Sequence, residues 1–209
     1  MRPSRQDSRV RPGNPGFSEG LGFSGRTLTR RGLVCLLALA SCSSPNPALY
    51  TLEAPPGPVR RGGPRVIELR NVGLARYLER SQIVRSSENF RLDVLPNDWW
   101  GEPLDAMLGR TLVRALTQRL PGGTVFLENG AISTPADATV QVNVQRLDQD
   151  TAQAVRLIAQ YAVVRRGTET KGAAIQVPLR GTAPADLVRA MSEAVGQLAD
   201  QIAAALAAG

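Results

Sequence analysis

Apolar positions along this chain change period from one stretch to the next, and each period predicts an element. Val66, Ile67 and Leu69 form a short apolar run suited to a buried strand. Gln82-Ile83-Val84-Arg85 and Arg91-Leu92-Asp93-Val94-Leu95 flank the polar stretch Ser86-Ser87-Glu88-Asn89, which predicts a β-hairpin. Leu104, Met107, Leu108, Leu112, Leu116 and Leu120 then recur at helical spacing. Pro103 suits the first position of that helix, where its missing N–H costs nothing, and Pro121-Gly122-Gly123 stop it. Thr124–Leu127 reads as a short strand. Val140, Val142 and Val144 alternate with Gln141, Asn143 and Gln145, so one face is buried and the other wet. Val155, Leu157, Ala159, Tyr161 and Val163 repeat that alternation after a turn at Asp148–Thr151, and Gly172–Val177 predicts a third strand of the same meander. Pro184 opens a long C-terminal helix with Leu187, Met191, Val195, Leu198, Ile202 and Leu206 along one stripe. The elements add up to a single mixed α/β domain of about six strands, with a central helix and a long C-terminal helix packed on the sheet.

Upstream of the domain the pattern changes character. Arg30 and Arg31 precede an apolar run from Leu33 to Ala40. That run is shorter than the roughly 20 residues a membrane span needs and matches the roughly 7–15 residues of a signal-peptide core. Leu39-Ala40-Ser41-Cys42 follows and resembles the lipobox of bacterial lipoproteins. The resemblance implies cleavage between Ser41 and Cys42 and acylation of the Cys42 thiol and new amino terminus, which makes Cys42 the lipid-attachment residue. An ordinary buried cysteine is the alternative. Residues 1–29 are rich in Arg, Gly, Ser and Pro, unlike a normal signal start. Either translation begins further in, near Leu28, or the leader is unusually long. Thr29-Arg30-Arg31-Gly32-Leu33-Val34 also resembles a twin-arginine export motif, although paired arginines are common in general secretory signals. The expected organisation is thus a leader and signal over 1–41, a lipidated cysteine with a Pro/Gly-rich tether over 42–64, and a folded domain over 65–209. Ala48–Leu52 has strand character within that tether.

The leader reshapes the composition. The chain holds 25 Lys+Arg and 18 Asp+Glu. Removal of residues 1–41, with their seven arginines and two acids, leaves 18 basic and 16 acidic residues. The high pI belongs to the leader, and no nucleic-acid partner is implied. Cys42 would be the one cysteine left, which excludes an intrachain disulfide and a thiolate metal cluster. The chain lacks histidine, the commonest general base and metal ligand near neutral pH. It has no Gly-x-Ser-x-Gly elbow and no glycine-rich phosphate loop with a lysine, and Lys171 is its one lysine. Asp98, Glu102 and Asp105 could be imagined as a carboxylate site, but a helix start favours negative charge there. No enzyme, cofactor or metal is expected.

Leu49-Tyr50-Thr51-Leu52, Tyr77-Leu78-Glu79-Arg80-Ser81-Gln82-Ile83-Val84 and Trp100-Gly101-Glu102-Pro103-Leu104 stand in the order seen in one family. The chain resembles the ABC-type transport auxiliary lipoproteins of the PqiC/YmbA type. Their second element runs Tyr-Leu-Asp-Arg-Pro-Gln-Ile-Val, so Glu79 and Ser81 depart mildly. Their third runs Trp-Ala-Glu-Pro-Leu, so Gly101 lacks one methyl group. The resemblance implies a non-enzymatic role beside an MCE-domain protein, a membrane permease and an ATPase that move lipids between membranes. It implies a periplasmic subunit anchored to the outer membrane by its lipid, often a homo-oligomer, which docks the end of the MCE assembly. Ser43, rather than aspartate, after Cys42 agrees with the outer-membrane destination.

Tyr77, Arg80, Trp99 and Trp100 are the candidate partner contacts. Each has a plainer role available: a loop contact for Tyr77 and Arg80, core packing for at least one tryptophan. Arg60-Arg61 could meet anionic lipid head groups, or simply belong to a solvated linker. A rival reading is a carrier lipoprotein holding a lipid in its own pocket.

Overall fold

The computed structural model describes residues 46–128 and 134–208. Cys35, Ser41, Cys42 and the signal segment lie outside the described residues. The meander read from the alternating valines is the backbone of the fold. Strand β7 (Ala138–Gln149) pairs antiparallel with β8 (Ala154–Val164), and β8 with β9 (Thr168–Pro178). On its other flank β7 meets three short strands in succession along its length. Parallel β2 (Val66–Leu69) lies at its start, β3 (Gly73–Leu74) beside Asn143 and Val144, and β4 (Gln82–Ser86) at Gln149. Strand β6 (Thr124–Leu127) pairs parallel with β2. Strand β5 (Asp93–Trp100) forms the expected hairpin with β4, and β1 (Ala48–Tyr50) adds to β5 in parallel. The sheet therefore has nine strands rather than about six. Strand β3 has no apolar run of its own and is held by β7's long edge.

Helix α1 (Leu104–Arg119) begins one residue after Pro103, which sits at the cap, and helix α2 (Pro184–Ala208) closes the chain's fold. Helix α2 covers the inner face of β8 and β9 and packs on α1. Its leucine and valine stripe is widened by Ala190, Ala194, Ala199 and Ala203, all buried, so the helix can sit close to both neighbours. Val155, Leu157, Ala159 and Tyr161 of β8 face it across the core. No helix among the described residues is long and apolar enough to cross a membrane.

A bulge in β7 sets which side chains near its end face the core. The register with β8 slips between Val144 and Arg146, so the alternation changes phase. Val144 and then Leu147 point into the core, which leaves Asp148 on the opposite face. The Pro/Gly-rich stretch also differs from a tether. Leu52 is buried, and its N–H reaches the Met107 sulfur at 3.2 Å. The Glu53 N–H donates to Ser192 Oγ at 3.1 Å, and Gly57 exchanges two 3.1 Å hydrogen bonds with the Gln118 amide. The Arg60 N–H caps the carbonyl of Arg119 at 2.7 Å. Residues 48–60 thus belong to the folded unit, and the expected domain start at 65 moves toward the N-terminus.

Candidate functional site

Two of the sequence motifs converge on one cleft. After β3 the chain makes a short 3-10 turn (Arg76–Leu78) whose Leu78 is buried, then passes Glu79, Arg80 and Ser81 into β4. The end of β5 returns beside it, where the Trp100 N–H donates to the Ser81 carbonyl at 2.7 Å. The Gly101 N–H donates to the Tyr50 carbonyl at 2.9 Å, so β1 braces the same corner. Pro103 then turns the chain into α1. The result is an open cleft of about 580 Å³ between β3, the 79–81 segment and the start of α1. Leu74, Trp100 and Leu104 supply its apolar wall, and Glu79, Arg80, Glu102 and Asp105 its charge.

The four candidate contact residues take different places around this corner. Trp100 is buried at 6% exposure and forms the cleft floor from the core side. Arg80 is exposed; its Nε donates to the Tyr77 carbonyl at 2.9 Å, and it makes no ion pair among the described residues. Glu102 across the cleft, just before α1, is engaged by Arg110 in the second turn of that helix. Tyr77 turns away from the cleft, and its hydroxyl donates to Asp148 Oδ2 at 2.8 Å. Burial, and then the Asp148 charge, push the Tyr77 pKa well above the usual phenol value. Trp99 lies half-buried on the β1 side with its Nε1–H on the Pro96 carbonyl at 3.0 Å. Arg80 and Trp100 are therefore brought together, while Tyr77 and Trp99 act as structural neighbours of the cleft. Among the described residues no three His, Cys, Asp or Glu side chains gather as a metal site would require.

Two polar centres beneath this surface escaped the sequence reading. Asp148, fully buried, accepts from Tyr77, from Ser87 Oγ at 2.6 Å and from Arg146 Nε at 2.8 Å. Arg146 continues to Glu88 at 2.5 Å, so the 3-10 turn, the β4–β5 hairpin and the end of β7 share one network. Such a network is worth most when every member is satisfied. The second centre is Arg119, 1% exposed, whose Nε meets Asp200 Oδ1 at 2.5 Å. Its remaining donors reach the carbonyls of Ala115, Gly196 and Pro55. Arg119 continues the apolar stripe three residues after Leu116, and that position was the available signal of its burial.

The ABC-type transport auxiliary lipoprotein component family matches residues 50–203, a span holding every strand from β2 to β9, α1 and most of α2. The chain belongs to that family. Solved structures share the fold of this auxiliary lipoprotein. One crystal structure of an uncharacterized protein is 20% identical with a TM-score of 0.65, covering 77% of this chain and 99% of its own. Protein XCC0632 from Xanthomonas campestris is 17% identical with a TM-score of 0.63, covering 78% of this chain and 95% of its own, and is assigned to the DUF330 family. No curated protein matches the chain. Membership makes this an auxiliary subunit of an ABC-type transport system. Of the two converging motifs, residues 79–81 and 100–104 face each other across the cleft.

Proposed function

We propose that this auxiliary lipoprotein is a non-enzymatic, periplasmic subunit of a lipid-transport system. In this reading it is tethered to the outer membrane through Cys42 and docks an MCE-domain protein that works with a permease and an ATPase. The observation that carries it is the cleft between the two motif segments, with the exposed Arg80 and the wall of Trp100 and Leu104. A subunit of this kind acts through surfaces, and a buried aromatic floor beside an uncommitted arginine suits a protein partner. A ring-shaped partner is best met by a ring, so self-association belongs to the same reading. The outer edges of β1, β6 and β9 are available for it among the described strands.

Co-purification of the full chain with the MCE protein tests the docking role. Arg80→Glu is expected to weaken capture roughly tenfold, the equivalent of about 1.4 kcal/mol; undiminished capture would leave Arg80 a structural residue. Native mass spectrometry separates this role from the carrier reading. An empty chain in a higher oligomer supports docking, and a stoichiometric bound phospholipid supports a carrier.

A further inference from the structure

We propose that the tip of the β4–β5 hairpin, Phe90 and Leu92 with Arg91 between them, inserts into the phospholipid surface and seats the domain against the membrane. The proposal rests on acylation of Cys42 and adds a second, protein-borne contact to it. Phe90 is 112% exposed, the most exposed of the described large apolar side chains, and Leu92 is 42% exposed. Asn89 and Phe90 both take left-handed backbone, with φ of 54° and 60°. That conformation is uncommon for a bulky residue. Here it turns an aromatic ring out of the hairpin into solvent.

The charges at the tip suit a lipid surface. Glu88 is committed to Arg146, and Asp93 to Arg85 at 3.4 Å. Arg91 makes no ion pair among the described residues and is exposed. An exposed cation between two apolar side chains is the composition of an interfacial contact, in which rings sit at head-group depth and arginines meet phosphates.

Chain geometry identifies the occupant as a membrane. Strand β1 runs parallel to β5, with Ala48 beside Asp98. Strand β5 starts at the hairpin tip and ends at Trp100, so the chain enters β1 from the tip side. From the level of Trp99 to that of Asp93, neighbouring β4 advances from Gln82 to Ser86, a rise of roughly 13 Å. The six residues from Cys42 to Ala48 reach up to about 20 Å when extended. A lipid on Cys42 can therefore enter the same bilayer that the tip touches. The tether also keeps the tip at high local concentration, so a weak insertion suffices. The cleft lined by Arg80 and Trp100 lies at the other end of the β4–β5 pair and stays clear of the membrane.

The test uses the mature acylated protein in vesicles of phosphatidylethanolamine and phosphatidylglycerol, with Phe90→Cys carrying an environment-sensitive fluorophore. Gly167→Cys, in the turn between β8 and β9 near the opposite end of β7, is the control. The label at 90 is expected to shift to the blue and to be quenched by nitroxide lipids, and the label at 167 to do neither. A label at 90 that emits as in water, or that is buried only at high protein density and ignores nitroxide lipids, overturns the proposal; the second result would assign the tip to a neighbouring copy. Intact mass is read first. An unacylated Cys42 overturns the anchor and the proposal together, whereas an acylated chain with a water-exposed tip overturns the proposal alone. As a measurement free of substitutions, trypsin cleavage after Arg91 is expected to slow in vesicles relative to detergent, and an equal rate counts against insertion.

Discussion

Gly101 stands where the motif that this chain resembles carries alanine, and its surroundings say what the missing methyl costs. A Cβ built there would lie 3.4 Å from the Tyr50 carbonyl oxygen, an ordinary contact, and the left-handed glycines of the described chain are Gly62 and Gly63. Gly101→Ala is therefore expected to keep the fold and add about 0.4–1 kcal/mol, by reducing the freedom of the unfolded chain. Urea unfolding measures it, and a clear loss of stability would mean that the β1–α1 corner has no room for the methyl group. Tyr77 offers a pH test. Its pKa is raised by burial and by Asp148 above the ordinary value of 10.0, so the unfolded chain loses this proton first as pH rises. The proton then favours the folded state less and less, and stability falls as pH climbs through and beyond about 10. Tyr50 and Tyr161 are shifted in the same direction. Tyr77→Phe should make the loss between about pH 9 and 11 shallower; an unchanged slope would show that the Asp148 network does not hold Tyr77 protonated.

Arg119 decides how the elements are joined. Its guanidinium links α1 to Asp200 and Gly196 of α2 and to Pro55 of the N-terminal stretch, and a Cβ on Gly57 would collide with it. Arg119→Ala would leave buried acceptors and a partly buried carboxylate without a partner, for a loss of about 3–5 kcal/mol. Thermal or urea unfolding that moved by less than about 1 kcal/mol would show water taking the arginine's place. The same residue marks the limit of sequence reading. Both helices, the β4–β5 hairpin and the β7–β8–β9 meander were legible because their period depends on which face is buried, and each element shows it alone. Strand β3 was not, since two residues carry no period and pair only because β7 is long enough to reach them. The β7 bulge was hidden too: Asp148 sits where simple alternation would place it in the core. The stretch at 53–60 looked like a linker because its prolines and glycine forbid regular structure. It is held instead by hydrogen bonds to Gln118, Ser192 and Arg119, which no local pattern announces. At the site, the two motif segments were visible as separate words, and only the fold shows that Arg80 and Trp100 share a cleft while Tyr77 turns to Asp148.

At the scale of the molecule the β4–β5 pair has two unlike ends. One carries the exposed Phe90 and the side from which the chain enters β1; the other carries the cleft, lined by residues 79–81 and 100–104. This polarity suits a tethered transport subunit that meets its membrane at one end and its partner at the other. The family assignment states the class of the protein, and the proposed docking role assigns the cleft as its point of contact. Site-specific photo-crosslinking tests the docking role most directly. A photoreactive residue replaces Arg80 in one strain and Gly167 in another, each in the full-length protein in cells that also make the MCE partner. Docking through the cleft predicts an adduct between position 80 and the MCE protein and none from position 167. An MCE adduct from position 167 with none from position 80 would contradict it.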